Sequence, residues 1–302
     1  MLSVVQTKVF GISSDGGNPC PLVLNSDSLT NKQMQSIASY YGVETAFILQ
    51  PESRNALFRL RYFVPKHEME MCVHATVGAV SYWCQSHEIK QLNGTVETAL
   101  GEIAVNAQEK DGRLNVIVEQ FPPTFSNENP SPSEVAQALK ISEEELDLSV
   151  GPIQSVSTSR PKLMIPLRSH EILHNLDPDF GLLWELCDRY QTTGFYPFTL
   201  TTQSSKYDVE ARQFPKRAGY NEDPATGVAA CALGAYLTYY SKLQEPKEGW
   251  YEYLIGQGYA MGKPSMIKAA SYLSKKGSIT KTRVGGYATI LQKENLDIHS
   301  IS

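Results

Sequence analysis

"GYNEDPATGVAACALGAYL", residues 219–237, carries an acidic turn straight into a long apolar run. The second half reads as a helix, because Val228, Ala229, Ala232, Leu233, Tyr236 and Leu237 recur near a 3.6-residue period. The entry reads as a cap, with Asp223 at the N-cap and Pro224 at the first helical position. A helix this apolar belongs inside the protein. Its start at Glu222 and Asp223 therefore has two readings: ordinary capping, or a carboxylate held for chemistry.

The signals around this stretch have counterparts earlier in the chain. "LTNKQMQSIASYYGVETAFIL" reads as a helix and then a strand. Thr30 and Gln33 form a capping box, Met34, Ile37, Ala38 and Tyr41 share an apolar face, Gly42 stops the helix, and a strand starts near Thr45. "LDPDFGLLWELCDRYQTTGFYPFTL" repeats the order: Asp177 and Pro178 open a helix and Tyr190 ends it. Pro197 makes the strand that follows an edge strand or a weak one. Arg61, Phe63 and Pro65 precede a helix opened by Ala75 and Thr76, as Arg212, Phe214 and Pro215 precede one opened by Ala225 and Thr226. Ala225 follows Ala75 by 150 residues and Phe214 follows Phe63 by 151, a spacing that implies domain duplication rather than a solenoid.

"TVETALGEIAVNAQEKDGRLNVIVEQF" reads as a hairpin turning at Lys110-Asp111-Gly112. "PPTFSNENPSPSEV" is the connector at the domain boundary. The expectation is an α+β protein of two similar domains, residues 1–120 and 121–302, with the extreme C-terminal segment able to return to the first. Each would be a β-barrel-like sheet around a central helix. A doubly wound sheet would alternate strands and helices throughout, which this chain does not.

Composition fits a globular protein: 302 residues, 41% hydrophobic and 20% charged, with net charge −5. No basic stripe offers phosphate neutralisation, and Lys275-Lys276 is a local pair, so no nucleic-acid partner is expected. No apolar run has membrane-spanning length, and "MLSVVQTKVFG" lacks the pattern of a signal peptide. Cys20, Cys72, Cys84, Cys187 and Cys231 are scattered without a CxxC pair, which argues for reduced thiols in the cytoplasm and against structural zinc.

A pseudo-twofold relation would turn the helix starts at Ala75 and at Asp223–Ala225 toward a shared cleft. Helix N-termini carry free N–H groups and partial positive charge, suited to a small carboxylate substrate. The halves differ in titratable groups. Glu44 lies in "GVETAF", where the second half has Thr192-Thr193-Gly194; His74 precedes Ala75, where Pro224 precedes Ala225. Glutamate, histidine and aspartate are proton-transfer groups, and desolvation raises a carboxyl pKa toward neutrality. Each has a plainer reading. Glu44 fits a solvated turn, Asp223 a cap worth about 1 kcal/mol, and His74 a satisfied core histidine. In "HEMEMCVH", Glu68, Glu70, Cys72 and His74 would alternate onto one strand face. At about 3.3 Å per residue such a row is too long to converge on one metal ion. Met69, Met71 and Val73 read as core.

At these residues the chain resembles the phenazine-biosynthesis PhzF-like isomerases, in the fold group of diaminopimelate epimerase and proline racemase. The matching motifs are "GNP" at 17–19, "ETAF" at 44–47, "R-x-F-x-P" at 61–65, "E-x-x-x-C-x-HAT" at 68–76, "EDPATG" at 222–227 and "GQGYAMGKPS" at 256–265. The resemblance implies a cofactor-free acid/base isomerase and a homodimer, with a small carboxylate-bearing substrate in the interdomain cleft. In characterised members that substrate is trans-2,3-dihydro-3-hydroxyanthranilate. It assigns the proton-carrying glutamate to Glu44 and the active-site histidine and aspartate to His74 and Asp223. Asn18, Ala75, Thr76, Thr226 and Gly227 fall at substrate-binding positions. Val73 and Val228 stand where this family commonly has Gly and Ser, which implies a less polar substrate; Lys263 stands where it commonly has Arg, which keeps the charge and loses a bidentate donor. The paired cysteines of the racemases are replaced by Val73-His74 and Glu222-Asp223, which disfavours a two-thiol mechanism. The rival expectations are an epimerase of amino or hydroxy acids and a metabolite-binding protein with a decayed site.

Overall fold

The computed structural model describes residues 1–240, 247–298 and 301. The elements begin with β1 (Leu2–Val9), β2 (Asn18–Val23), α1 (Asn31–Tyr41), β3 (Thr45–Leu49), β4 (Ala56–Phe63), β5 (Glu68–Met69), α2 (Val73–Ser86), β6 (Gln91–Thr98), β7 (Gly101–Lys110) and β8 (Arg113–Gln120). Then come β9 (Thr124–Phe125), α3 (Pro132–Leu139), β10 (Gln154–Ser157), β11 (Pro161–Pro166), α4 (His170–Asn175), α5 (Phe180–Arg189), β12 (Gly194–Thr199), β13 (Val209–Ala211) and β14 (Phe214–Pro215). The last are α6 (Gly227–Tyr240), β15 (Gly249–Gln257), β16 (Ser265–Leu273) and β17 (Ile279–Leu296). Two compact units result. One holds Met1–Glu119, Ala218–Tyr220 and Gly285–Ser302; the other holds Gln120–Arg217 and Asn221–Val284.

In the first unit the strands close into a barrel of eight. β17 pairs with β1, β1 with β2, β2 with β3 in parallel, β3 with β4, β4 with β6 in parallel, β6 with β7, β7 with β8, and β8 with β17. Closure removes exposed sheet edges. Along β4, Ala56, Phe58, Leu60 and Tyr62 are buried while the residues between them are partly exposed, the period of two expected of a strand with one face inward. β7 and β8 meet at Asp111 and Gly112, whose φ values of 52° and 71° make the primed hairpin turn. The shell closes at Gly285, where a Cβ would lie 2.2 Å from the Val116 carbonyl oxygen.

The barrel wraps α2, buried continuously from Val73 to Ser81. Gly78 lets it approach β1, since a Cβ there would sit 3.1 Å from Thr7 Oγ1. α2 starts two residues before the expected Ala75. The extended Cys72 supplies its first carbonyl, which accepts the Thr76 N–H at 3.1 Å. "HEMEMCVH" is therefore not one strand: β5 covers only Glu68–Met69, and Glu68 pairs with Arg61 through two bonds of 2.7 and 2.6 Å. Met69, Met71 and Val73 are core, as their spacing predicts. α1 carries the expected Thr30–Gln33 capping box and left-handed Gly42. Its Met34, Ile37 and Ala38 pack on Val4, Val23, Phe47 and Phe63.

In the second unit β9, β10, β11, β12, β13, β15 and β16 pair in succession. From β10 to β16 the pairings run antiparallel, parallel, antiparallel, parallel, antiparallel. This is the order β1, β2, β3, β4, β6 and β7 show. β12 is a central, fully buried strand, not an edge. Proline is tolerated because its partner strand breaks between β13 and β14 there. The Pro197 carbonyl still accepts the Arg212 N–H at 3.0 Å.

α5 opens at Asp179, whose carboxylate accepts the Leu182 N–H at 3.1 Å. Asp177, expected at this start, is 89% exposed beside Lys140. The connector is not structureless: it contains β9 and the Ser131–Glu134 capping box of α3. α6 is buried on every face from Gly227 to Thr238, so its periodicity marks no exposed side. It begins at Gly227, and the residue before it is Thr226, whose carbonyl accepts the Ala230 N–H at 3.0 Å. Asp223 is thus not the N-cap, and Pro224 precedes the helix. A bridge to Gln213 holds Asp223 extended instead.

Gly285→Ala is expected to lower stability by 3 kcal/mol or more, past the roughly 1–3 kcal/mol usual for overpacking, since the obstacle is backbone. Gly112→Ala, also at positive φ but with open space around it, costs about 1 kcal/mol. Urea unfolding of the two variants side by side checks the difference.

Candidate active site

Three segments of the first unit meet at His74. β2 begins with Asn18, Glu44 sits between α1 and β3, and Cys72 and His74 bracket the start of α2. His74 is 3% exposed and Glu44 12% in their side chains, with Glu44 Oε2 at 3.2 Å from His74 Nε2. His74 Nδ1 lies 3.4 Å from Asn18 Nδ2 and 3.3 Å from Cys72 Sγ. An amide nitrogen only donates, so Asn18 makes Nδ1 the acceptor. The imidazole proton then sits on Nε2, facing Glu44.

The structure also fixes what surrounds this group. The Thr76 hydroxyl donates to the Cys72 carbonyl at 2.8 Å and lies 2.7 Å from Tyr62 Oη, so it holds the entry to α2 in place. Ala75 is buried in the first turn. The N–H groups of a first turn have no intrahelical partner, and the helix dipole places partial positive charge there. Burial pushes the Cys20 thiol up, the negative charge of Glu44 pushes it further, and Cys20 stays protonated. Burial likewise raises Tyr62, against the Thr76 hydrogen bond.

In the second unit Asp223, Thr226 and Gly227 lie together at the entry to α6. The Thr226 hydroxyl donates to the Asp223 carboxylate. Gln257, at the end of β15, ties this turn down. Its amide nitrogen donates to the Asp223 carbonyl at 2.7 Å and to Thr226 Oγ1 at 3.2 Å. Its oxygen accepts the Thr226 N–H at 3.1 Å and the Tyr196 hydroxyl at 3.0 Å. Burial raises the Tyr196 pKa, and the Asp223 charge raises it further. Gly258 follows with φ of 84°; a Cβ there would lie 2.6 Å from the Pro224 carbonyl oxygen. Neither Gln257 nor Tyr196 was assigned a role from sequence, although Gln257 lies inside the quoted "GQGYAMGKPS". A buried glutamine between two glycines was the available signal.

Glu222 and Asp223 have different partners. Glu222 is structural: it accepts two bonds from Arg212, at 2.8 and 2.7 Å. The same guanidinium donates to the carbonyls of Leu173, His174 and Leu176 at the end of α4. Glu44, Cys72 and His74 each offer a ligand atom within 4.8 Å of the others, a set different from the strand-face row weighed on sequence.

The profile of the phenazine biosynthesis-like protein family matches residues 7–294. An uncharacterized isomerase of Bacillus subtilis, YfhB, is 31% identical over 298 residues, covering 98% of each chain. A crystal structure of a phenazine biosynthesis protein of the PhzF family from Bacillus anthracis superposes with a TM-score of 0.87. It has 26% identity and covers 98% of this chain and 99% of that one. The fold extends to a probable proline racemase from Agrobacterium radiobacter, with a TM-score of 0.68 at 9% identity over 98% of this chain and 93% of that one. A histidine at a buried helix start, held by a glutamate and an asparagine from separate strands' ends, thus sits in a chain whose whole length matches one family: this protein belongs to the phenazine biosynthesis-like (PhzC-PhzF) proteins.

Proposed function

We propose that this protein is an isomerase that moves a proton within a small cyclic or unsaturated carboxylate. The observation that carries the reading is the 3.2 Å approach of Glu44 Oε2 to the buried His74 Nε2 at the first turn of α2. Glu44 takes a proton from a carbon of the substrate. The C–H electron pair passes into the adjacent unsaturated system, and the proton returns to a different carbon. His74 N–H holds the Glu44 carboxylate in place before the first transfer and after the second, and the first-turn N–H groups of α2 receive the substrate carboxylate. Asp223, with Thr226 and Gly227, is assigned to substrate binding. The proton is the only group moved, so the scheme calls for no cofactor.

The shared order of strand pairings in the two units supports reading them as copies of one domain, with Glu44 and His74 retained in the first alone. We place the enzyme in the cytoplasm as a homodimer. Five buried cysteine thiols fit a reducing compartment. Among the described residues no helix is long and apolar enough to cross a membrane.

Proton NMR of trans-2,3-dihydro-3-hydroxyanthranilate in D₂O tests the reaction. Wild type is expected to isomerise it with solvent deuterium entering the product. Glu44→Gln is expected to lose about 10²–10⁴-fold in rate with an unchanged circular dichroism spectrum. Equal rates for the two would remove Glu44 from the mechanism. Deuterium at a stereocentre of an amino or hydroxy acid without double-bond migration would instead make the enzyme an epimerase. Thermal stabilisation by carboxylates with no exchange at any carbon would make it a binding protein.

Gln257→Leu is expected to lower stability by roughly 1–3 kcal/mol for each buried polar partner left unpaired, and to lower turnover with it. Gln257→Glu, which keeps the acceptor oxygen, should fall between. A Leu variant as stable as wild type would show that the turn does not depend on this amide.

A further inference from the structure

We propose that Gln213 is a substrate-recognition residue whose buried amide reads an amino substituent next to an oxygen of the substrate. The inference rests on the functional reading above and names what that small carboxylate must carry. Gln213 is 1% exposed, and neither its amide nitrogen nor its amide oxygen has a hydrogen-bond partner among the described residues. A buried polar group without a partner is costly, and here one side chain holds two of them. A bound group that is both donor and acceptor meets both.

The backbone fixes the face that this amide occupies. Gln213 and Asp223 lie opposite each other in an antiparallel bridge, with the Asp223 N–H donating to the Gln213 carbonyl at 3.0 Å. Residues directly opposite in such a bridge send their side chains to the same face. The next residue, Phe214, packs among apolar residues of α3 and α5, so Gln213 points to the other side of its strand. Its Nε2 lies 2.5 Å from where a Cβ on Gly194 would stand. The strand registers identify that place. Phe195 lies opposite Phe214 as Thr45 lies opposite Phe63, so Gly194 corresponds to Glu44 and Gln213 to Tyr62. Where the first unit has its carboxylate, the second has a glycine and an amide that arrives from the adjacent segment.

The chemistry of the two side chains selects the group. The Asp223 carboxylate only accepts, whereas the Gln213 amide donates through nitrogen and accepts through oxygen. An amino group donates to the amide oxygen, and the negative charge of Asp223 on the same face favours it over a second acceptor. The amide nitrogen then donates to the oxygen beside that amino group. A site built around such a pair discriminates strongly against the analogue that lacks the donor, because its own polar atoms are left unpaired.

The test is calorimetric titration of the full chain with anthranilate and with benzoate, which lacks the amino group. Wild type is expected to bind anthranilate more tightly than benzoate by about 10-fold or more. Gln213→Leu, which removes both polar atoms at similar volume, should bring the two affinities to within about 3-fold of each other. Its thermal unfolding midpoint without ligand should rise, because no unpaired amide remains buried, a change that an amide needed only for folding would reverse. Gln213→Met, unbranched like glutamine, is expected to behave as the Leu variant does. No binding of anthranilate, equal affinities in wild type, a preference kept by both variants, or a lower midpoint in both would overturn the proposal. Turnover is not used. A wild type that shows the preference but fails the D₂O experiment above overturns the isomerase reading alone, and the converse result overturns this inference alone.

Discussion

Each unit is organised by a helix that water does not reach along most of its length. α2 is buried without interruption from Val73 to Ser81, and α6 from Gly227 to Thr238. Inside such a helix every backbone N–H is bonded to a carbonyl one turn back, and apolar side chains can face all directions. The first turn is the exception, because its N–H groups have no carbonyl to reach. A polar group buried without a partner costs roughly 2 kcal/mol or more, so the chain must bring polar side chains to that place. At α2 the side chains brought to that place include Glu44, Cys72 and His74.

The two helix starts meet the requirement by different means. At α2 Glu44, Cys72 and His74 are titratable, and with Asn18 they arrive from three separate stretches of chain. At α6 a neutral amide does most of the holding: Gln257 bonds to the Asp223 carbonyl, both polar groups of Thr226 and the Tyr196 hydroxyl. Arg212 anchors the same turn from its other side through Glu222. A glutamate committed to an arginine next to an aspartate bonded to a threonine is a turn with little freedom. That rigidity suits a carboxylate whose position matters.

Close approach of backbone is the other constraint. Gly285 lies against the Val116 carbonyl where the barrel closes, and Gly258 lies against the Pro224 carbonyl ahead of α6. Neither position has room for a side chain. One glycine closes the shell around α2, and the other seats the turn that carries Asp223.

Local patterns were enough for several features. The α1 capping box, the Asp111-Gly112 hairpin, the core methionines and the approximate extent of the buried helices follow from interactions a few residues apart. So does the presence of polar residues at the starts of those helices. Helix boundaries were less legible. α5 takes Asp179 rather than Asp177, and α6 starts at Gly227 rather than at Pro224, because long-range bonds hold the preceding residues out of helical geometry. Only tertiary structure could place Cys72 within reach of His74 Nδ1, engage Glu222 with Arg212, or bring Gln257 to a turn more than thirty residues earlier in the chain. Composition and periodicity report what a segment requires of its surroundings. Which distant residue meets that requirement is decided by how the strands pair, and no local pattern records it.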